Sequence, residues 1–581
     1  MLRVSQPSMM YSESSCNVAK SRLLIRSVVF AFLALTSFVS SAQEIERVAV
    51  FEQWPGVSQL ITYRDRIWFV NSKPFEDSNV ADIYSYSVED GSLRYERGLF
   101  SQDVGRPVIY DGLLHWPFED PRRSAGSGEY VVTDGTNWQW QVMQSGSVMH
   151  VHAMNVCDGD LVATTGAWTG QFHRLSKNKT EEVTESSGEE PDDQSDQPSN
   201  NYTWEVQYDY PAAKDSFSRL VSVSQFGDSC IVGASARRKD EAKLFTIDGG
   251  KRTAINGWPS SDRVDTLEQH QGNLFAFADT GSTRQLMRYD GSVVHQVALP
   301  SNHHPRALHS DGNNLWLATH QQGEPQPGAL WKYDNAGDFE RIEEFAGVPN
   351  GLGSYKGVVA VGTYAASGGA LWLYKHEALH QSPIEPDDSS AAISSDPLHE
   401  LDSDLVDSLY AELLAVITDP NSTVERARVL RRSLGRHPLI KAPEFGAAVT
   451  RLLSTPLEGA PIPMFTGRSI SYEGLIHWYL MTTLAINGHG YIDPAVINSE
   501  KELDVPDSMK VFSPSIAAIV ASGWLKQSDD ATLSALMTRL NSETDPLWVR
   551  ADVIAALSAI TDQRFGYAVT KWNDWWEKQK G

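Results

Sequence analysis

The chain has 581 residues, a formal net charge of −25, 41% hydrophobic residues and 21% charged residues. That composition can bury a sizeable core and excludes wholesale disorder. The length exceeds one ordinary domain, and the acidic balance argues against nucleic acid as a partner, which needs a basic footprint.

Residues 1–42 read as a secretory signal. Lys20, Arg22 and Arg26 precede the apolar run Ser27–Val39, which ends in the small residues Ser40–Ala42. The run is too short to span a bilayer, and no later segment is long and apolar enough to be transmembrane. The chain is therefore expected to be exported, to a periplasm, the cell surface or the medium. Cleavage after residue 42 removes Arg3, Lys20, Arg22, Arg26 and Glu13, and shifts the net charge from −25 to −28. It also removes Cys16 and leaves Cys157 and Cys230. In an oxidising compartment an even pair forms a disulfide, and two buried thiols are the open alternative.

From Glu46 to Lys375 the sequence has a period. Turn-and-strand pieces read DRIWFV (65–70), DGLLHW (111–116), DGDLVAT (158–164), GDSCIVG (227–233), QGNLFAF (271–277), DGNNLWL (311–317) and KGVVAVG (356–362), starting 46, 47, 69, 44, 40 and 45 residues apart. Alternating apolar residues mark strands, and Asp-Gly-like corners supply the positive φ of tight hairpins. A unit of about 45 residues cannot bury both faces alone, whereas units stacked around an axis can. The pattern predicts an all-β seven-bladed propeller over 43–376. Its seventh unit lacks a fourth strand, which Arg47–Phe51 is placed to supply. The recurring strand followed by Tyr-Asp-Gly or Asp-Gly-x-x-Trp resembles secreted seven-bladed propellers, a likeness nearly silent on function. The longest interval holds an acidic insertion, 177–200, read as a solvated loop.

Residues 377–402 read as a linker rich in Pro, Ser and Asp, which makes relative motion of the flanking parts the default expectation unless an interface forms between them. Beyond it the period becomes 3.6. Leu405, Val406, Leu409, Leu413, Val416 and Ile417 form one helix face, with Asp402 or Ser403 as cap. Two segments open with Asp-Pro followed by Val and an aliphatic stripe, 419–430 and 545–557. Asp545, Pro546, Val549 and Arg550, and more loosely Asp419, Pro420 and Val424, resemble HEAT-type repeats. The segment 560–578 is similar to the end of bacterial exported HEAT-repeat proteins. Residues 403–581 are thus expected to be an all-α HEAT-like array. Trp572, Trp575 and Trp576 share one helix face and read as a cap on the end of its core.

Catalytic signatures are mostly absent: there is no Gly-x-Ser-x-Gly, His-Glu-x-x-His, phosphate-binding loop or Cys-x-x-Cys. No cofactor or metal is expected. The run Thr133–Trp138 resembles a sialidase Asp-box with the wrong spacing and reads as an ordinary hairpin. Propeller geometry places Arg106, His150, His152, Arg306 and His303 or His304 near the axis on one face. The loops Arg122–Arg123 and Arg237–Arg238–Lys239 are expected on the same face, opposite the acidic insertion. Guanidinium forks suit carboxylates and sulfates, and Trp116 and Trp168 are placed to stack on sugar rings. These residues predict a non-catalytic binding or scaffold protein that recognises a protein or an anionic glycan. The alternative is a propeller polysaccharide lyase or glycoside hydrolase, with His150 or His152 as general base.

Overall fold

The computed structural model describes residues 45–73, 81–101, 103–119, 128–143, 150–166, 169–177, 202–210, 218–236, 242–321, 327–334, 337–376, 401–463, 469–499 and 513–580. The expected signal, most of the acidic insertion, the expected linker to residue 400, Trp168 and the two basic loops lie outside them.

The N-terminal half is built of antiparallel strands that pair first to second to third to fourth. The first run is Gly56–Tyr63, Arg66–Ser72, Ala81–Tyr86 and Leu93–Leu99. The second is Val108–Tyr110, Leu113–Pro117, Glu129–Thr133 and Trp138–Val142. The third is Val151–Cys157, Asp160–Thr165, Gly170–Lys177 and Tyr202–Tyr210. The fourth is Ser218–Phe226, Ser229–Ala236, Leu244–Asp248 and Lys251–Ala254. The fifth is Arg263–His270, Asn273–Thr280, Thr283–Tyr289 and Val294–Val297. The sixth is His303–Ser310, Leu315–Gln321, Gly328–Tyr333 and Phe339–Phe345. The last, Val348–Tyr355, Val358–Tyr364 and Gly369–Lys375, takes its fourth strand, Ile45–Phe51, from the other end of this region. This is the closure that the open last unit predicts.

Local chemistry sets the corners. Asp111-Gly112 and Asp158-Gly159 both take positive φ at their two central residues, 51° and 70°, and 53° and 81°. Such corners match the twist of the strands they join. First strands of successive runs neighbour one another from the second run to the last, and the last neighbours the first strand of run one. The curled sheets thus resemble a propeller fold. Their stacking buries second strands on both faces: Leu274–Ala278 and Val358–Thr363 are buried throughout.

The C-terminal half is helical. Its helices include Ser403–Thr418, Thr423–Arg436, Pro443–Leu453, Tyr472–Asn487, Pro514–Trp524, Asp530–Leu540, Leu547–Thr561 and Val569–Lys580. Asp402 caps the first, accepting from the amides of Asp404 and Leu405, and Ser422 caps the second. No helix among the described residues is long and apolar enough to cross a membrane. Trp572 is fully buried, with Trp575 and Trp576 packed at the core's edge.

The helices pack directly on the first two runs, which is the interface on which the linker expectation is conditional. Helix Leu547–Thr561 lies on strand Leu93–Leu99, and helix Tyr472–Asn487 lies on Trp138–Val142. The second contact explains why Tyr472–Asn487 is apolar nearly all round: it is covered by helices and by a sheet edge. Trp140 meets Trp524 at 5.3 Å between ring centroids, and the Arg97 guanidinium lies 3.8 Å from the Trp524 ring centre. Buried Asp82 accepts from Trp54 Nε1 (2.8 Å), Tyr567 OH (2.5 Å) and Tyr95 OH (3.3 Å). Lys441 donates to the carbonyls of Trp140 and Ile486, and Arg564 to that of Glu96. One hydrophobic core runs through both halves.

Candidate functional site

The first strands carry ionisable side chains where they begin, around the axis. Arg263 and Asp265 are the first and third residues of their strand, and Arg263 Nε pairs with Asp265 Oδ2 at 2.6 Å. Arg284, on the third strand of that run, holds the other oxygen of Asp265 and also Asp279 Oδ1, the latter at 3.2 Å. Two guanidiniums are thus paired with two carboxylates.

Arg306 differs. It is exposed and beside Arg284, yet has no hydrogen-bond or carboxylate partner among the described residues. Burial, then the Arg284 charge, lowers its pKa. His304 stacks on His320 at 5.3 Å next to it. Burial, followed by the charges of Arg306 and His304, lowers the His320 pKa to about 4. His303 is occupied within its own run by Thr319 Oγ1, 2.8 Å away.

His150 and His152 do come together, as parallel rings 5.6 Å apart. Both are largely buried and engaged. His150 Nδ1 contacts the Glu119 carbonyl, and His152 Nε2 lies 3.0 Å from the Gly166 carbonyl. His152 Nδ1 is 3.8 Å from Glu119 Oε1. Burial, then neighbouring His152, pulls the His150 pKa down to about 4, so its ring is neutral at pH 7. Burial opposes ionisation of Glu119, but the hydrogen bond and charge of His152, then Arg263 and His150, lower its pKa. Nearby Asp103 is pushed the other way, by burial and by Glu119. Glu119, Asp103, Arg263, Arg284 and Arg219 were not singled out in the sequence. For Arg263 and Arg219 the signal was present, since both stand at the start of first strands, as Arg306 and His304 do.

Three expectations are corrected. Arg106 does not wait for a ligand. Its guanidinium crosses from the second run to the fifth, donating to the Leu267 carbonyl at 2.7 Å and to Glu268 Oε2 at 2.6 Å. Glu268 also accepts from the Ser310 amide at 3.0 Å and lies 3.9 Å from His309 Nδ1. Arg106 is therefore a crossbar from the segment before the second run to the fifth. Trp116 presents no face to solvent: its ring is 0% exposed, inside the core of the stacked sheets. His150 and His152 offer no unengaged pair of imidazoles for base catalysis. The Thr133–Trp138 hairpin is structural, with Asp134 accepting from the amides of Thr136 and Asn137.

No protein-family model and no curated protein matches the sequence. Solved structures do. The β-propeller domain of the Trilobed protease from Pyrococcus furiosus is 12% identical, with 56% of this chain and 95% of that one covered, at a TM-score of 0.38. The computationally designed Ika8 protein is 10% identical, with 57% and 100% covered, at 0.35. Pyrococcus horikoshii acylaminoacyl peptidase is 12% identical, with 57% of this chain and 53% of that one covered, at 0.36. These likenesses are distant, and what the chain shares with propellers is read from its own strand pairing.

Proposed function

We propose that this is an exported binding protein: a seven-bladed propeller, each four-strand run a blade, with a HEAT-like helical array docked on its first two blades. Arg306 takes an anionic group of a glycan. The carrying observation is Arg306, an exposed guanidinium without a carboxylate partner among the described residues, where Arg263 and Arg284 each have one. An unpaired, partly desolvated guanidinium is a strong site for a carboxylate or sulfate. Titration calorimetry against acidic and sulfated oligosaccharides tests it. Binding that weakens about tenfold or more in Arg306→Ala supports the reading. Equal affinity in the variant, or no binding across the panel, refutes it, and an acidic protein retained through Arg306 would move the reading to a protein ligand.

One observation favours an enzyme that acts on such a glycan. Asp103 and Glu119 are neighbouring carboxyl groups whose pKa values are driven apart, the arrangement that divides acid and base roles. Appearance of new reducing or unsaturated ends, abolished by Glu119→Gln, is its test; an unchanged glycan chain length counts against it.

A further inference from the structure

The two cysteines of the mature sequence stand 73 positions apart and in different runs. Cys157 ends strand Val151–Cys157 of the third run, and Cys230 lies in Ser229–Ala236 of the fourth. The fold brings them into one hydrophobic cluster, both buried and unlinked, with each thiol near enough to perturb the other. The approach is held from both sides. Asn155 Nδ2 donates to the Val223 carbonyl at 3.0 Å, and the Asp158 amide to Gln225 Oε1 at 2.8 Å, so the Cys157 strand is pinned just before and just after Cys157 to Ser218–Phe226, the strand paired with that of Cys230. A guanidinium is also present: Arg174 Nη2 lies 3.9 Å from Cys230 Sγ, while its other contacts are Asp160 at 2.9 Å and Asp158 at 3.4 Å. A cation at that distance favours the Cys230 thiolate, the form that attacks a disulfide.

We propose that Cys157 and Cys230 are a redox site that closes, in the presence of a small-molecule or protein disulfide, into a bond stapling the third run to the fourth. The Cys230 thiolate attacks the oxidant's disulfide and expels one thiolate, giving a mixed disulfide. Cys157 loses its proton and attacks Cys230 Sγ, expelling the second. Two protein thiols and one disulfide thus become one protein disulfide and two small thiols, with no other electron acceptor needed. The staple closes a loop of 73 positions that contains the acidic insertion, so it restricts a long stretch of the unfolded chain.

The test is to unfold the full chain, refold it in a buffer of reduced and oxidised glutathione, alkylate, digest and map the peptides by mass spectrometry. Peptide mapping separates the proposed link from any made by Cys16. The expected result is a Cys157–Cys230 peptide pair within one chain. A reductant should lower the melting temperature of the oxidised protein by about 4 °C, and leave the doubly substituted Cys157→Ser/Cys230→Ser protein unmoved. Recovery of both thiols alkylated before reduction, glutathione stably attached to either, or links only between chains overturns the proposal. If the double variant does not fold, the wild-type map and its melt with and without reductant still decide.

Discussion

Asp82 offers a direct measure of how firmly the helices are seated on the sheets. Its carboxylate is fully buried between strand Ala81–Tyr86 and the C-terminal Tyr567, and accepts from Trp54, Tyr567 and Tyr95. Burial raises its pKa from 3.8 to about 7; the three hydrogen bonds lower it without cancelling that effect, and Asp552 adds to the rise. The folded-state pKa is above the unfolded one, so the group's stabilising contribution is fully present below about pH 4 and is lost as pH rises through about 7. Three pKa units correspond to about 4 kcal/mol between the two ends of that window. For a cooperative unit of roughly 500 residues this is about 4 °C in melting temperature. Asp82→Asn retains an acceptor for Trp54 and Tyr567 and cannot ionise. Thermal melts of both proteins from pH 4 to pH 8 should give similar midpoints at the acid end. The variant should become the more stable by about 4 °C at pH 8. Parallel curves across the range would refute the reasoning, because they would mean that Asp82 is not ionising inside this interface.

Two further predictions follow from the same geometry. Arg106→Ala leaves Glu268, whose side chain is 9% exposed, without its cation, and should cost about 2 kcal/mol in denaturant titration, with much of the loss recovered in Arg106→Ala/Glu268→Gln; full additivity of the two changes would argue against a crossbar. A Cβ at Gly98 would stand 2.6 Å from Ala555 Cβ and 2.8 Å from the Tyr95 hydroxyl, so Gly98→Ala should cost about 1–3 kcal/mol and make the chain between the two halves more susceptible to limited proteolysis. Cleavage at the wild-type rate would show that the helices do not rest on Gly98.

How much was legible differs from residue to residue. Asp111-Gly112 and Asp158-Gly159 announce hairpins because the φ values they need are a property of two adjacent residues. Asp402 announces a helix start for the same reason: its side chain reaches amides two and three positions on. The missing fourth strand was also legible, since one unpaired strand and one open unit can be counted before either is seen to meet. Trp116 was misread because its position in the strand was right but the neighbouring sheet that covers it was not visible in the strand's own sequence. Arg106 was misread because its partner Glu268 is 162 residues away. Arg306 was half legible: its position in a first strand singled it out, but only the seating of Arg263 on Asp265 and of Arg284 on Asp265 and Asp279 showed which guanidinium was left over.

The sequence alone therefore determined the parts whose causes are short-range: the strand period, the corners, the caps and the change from β to α beyond residue 402. Tertiary structure decided which charges are paired, which aromatic rings are covered, whether the helices are tethered or seated, and that Cys157 and Cys230 meet. The physical reason is that backbone geometry is dictated within a few residues, whereas burial, desolvation and ion pairing depend on what approaches through space. In a ring of stacked sheets, that is supplied by segments tens to hundreds of residues away.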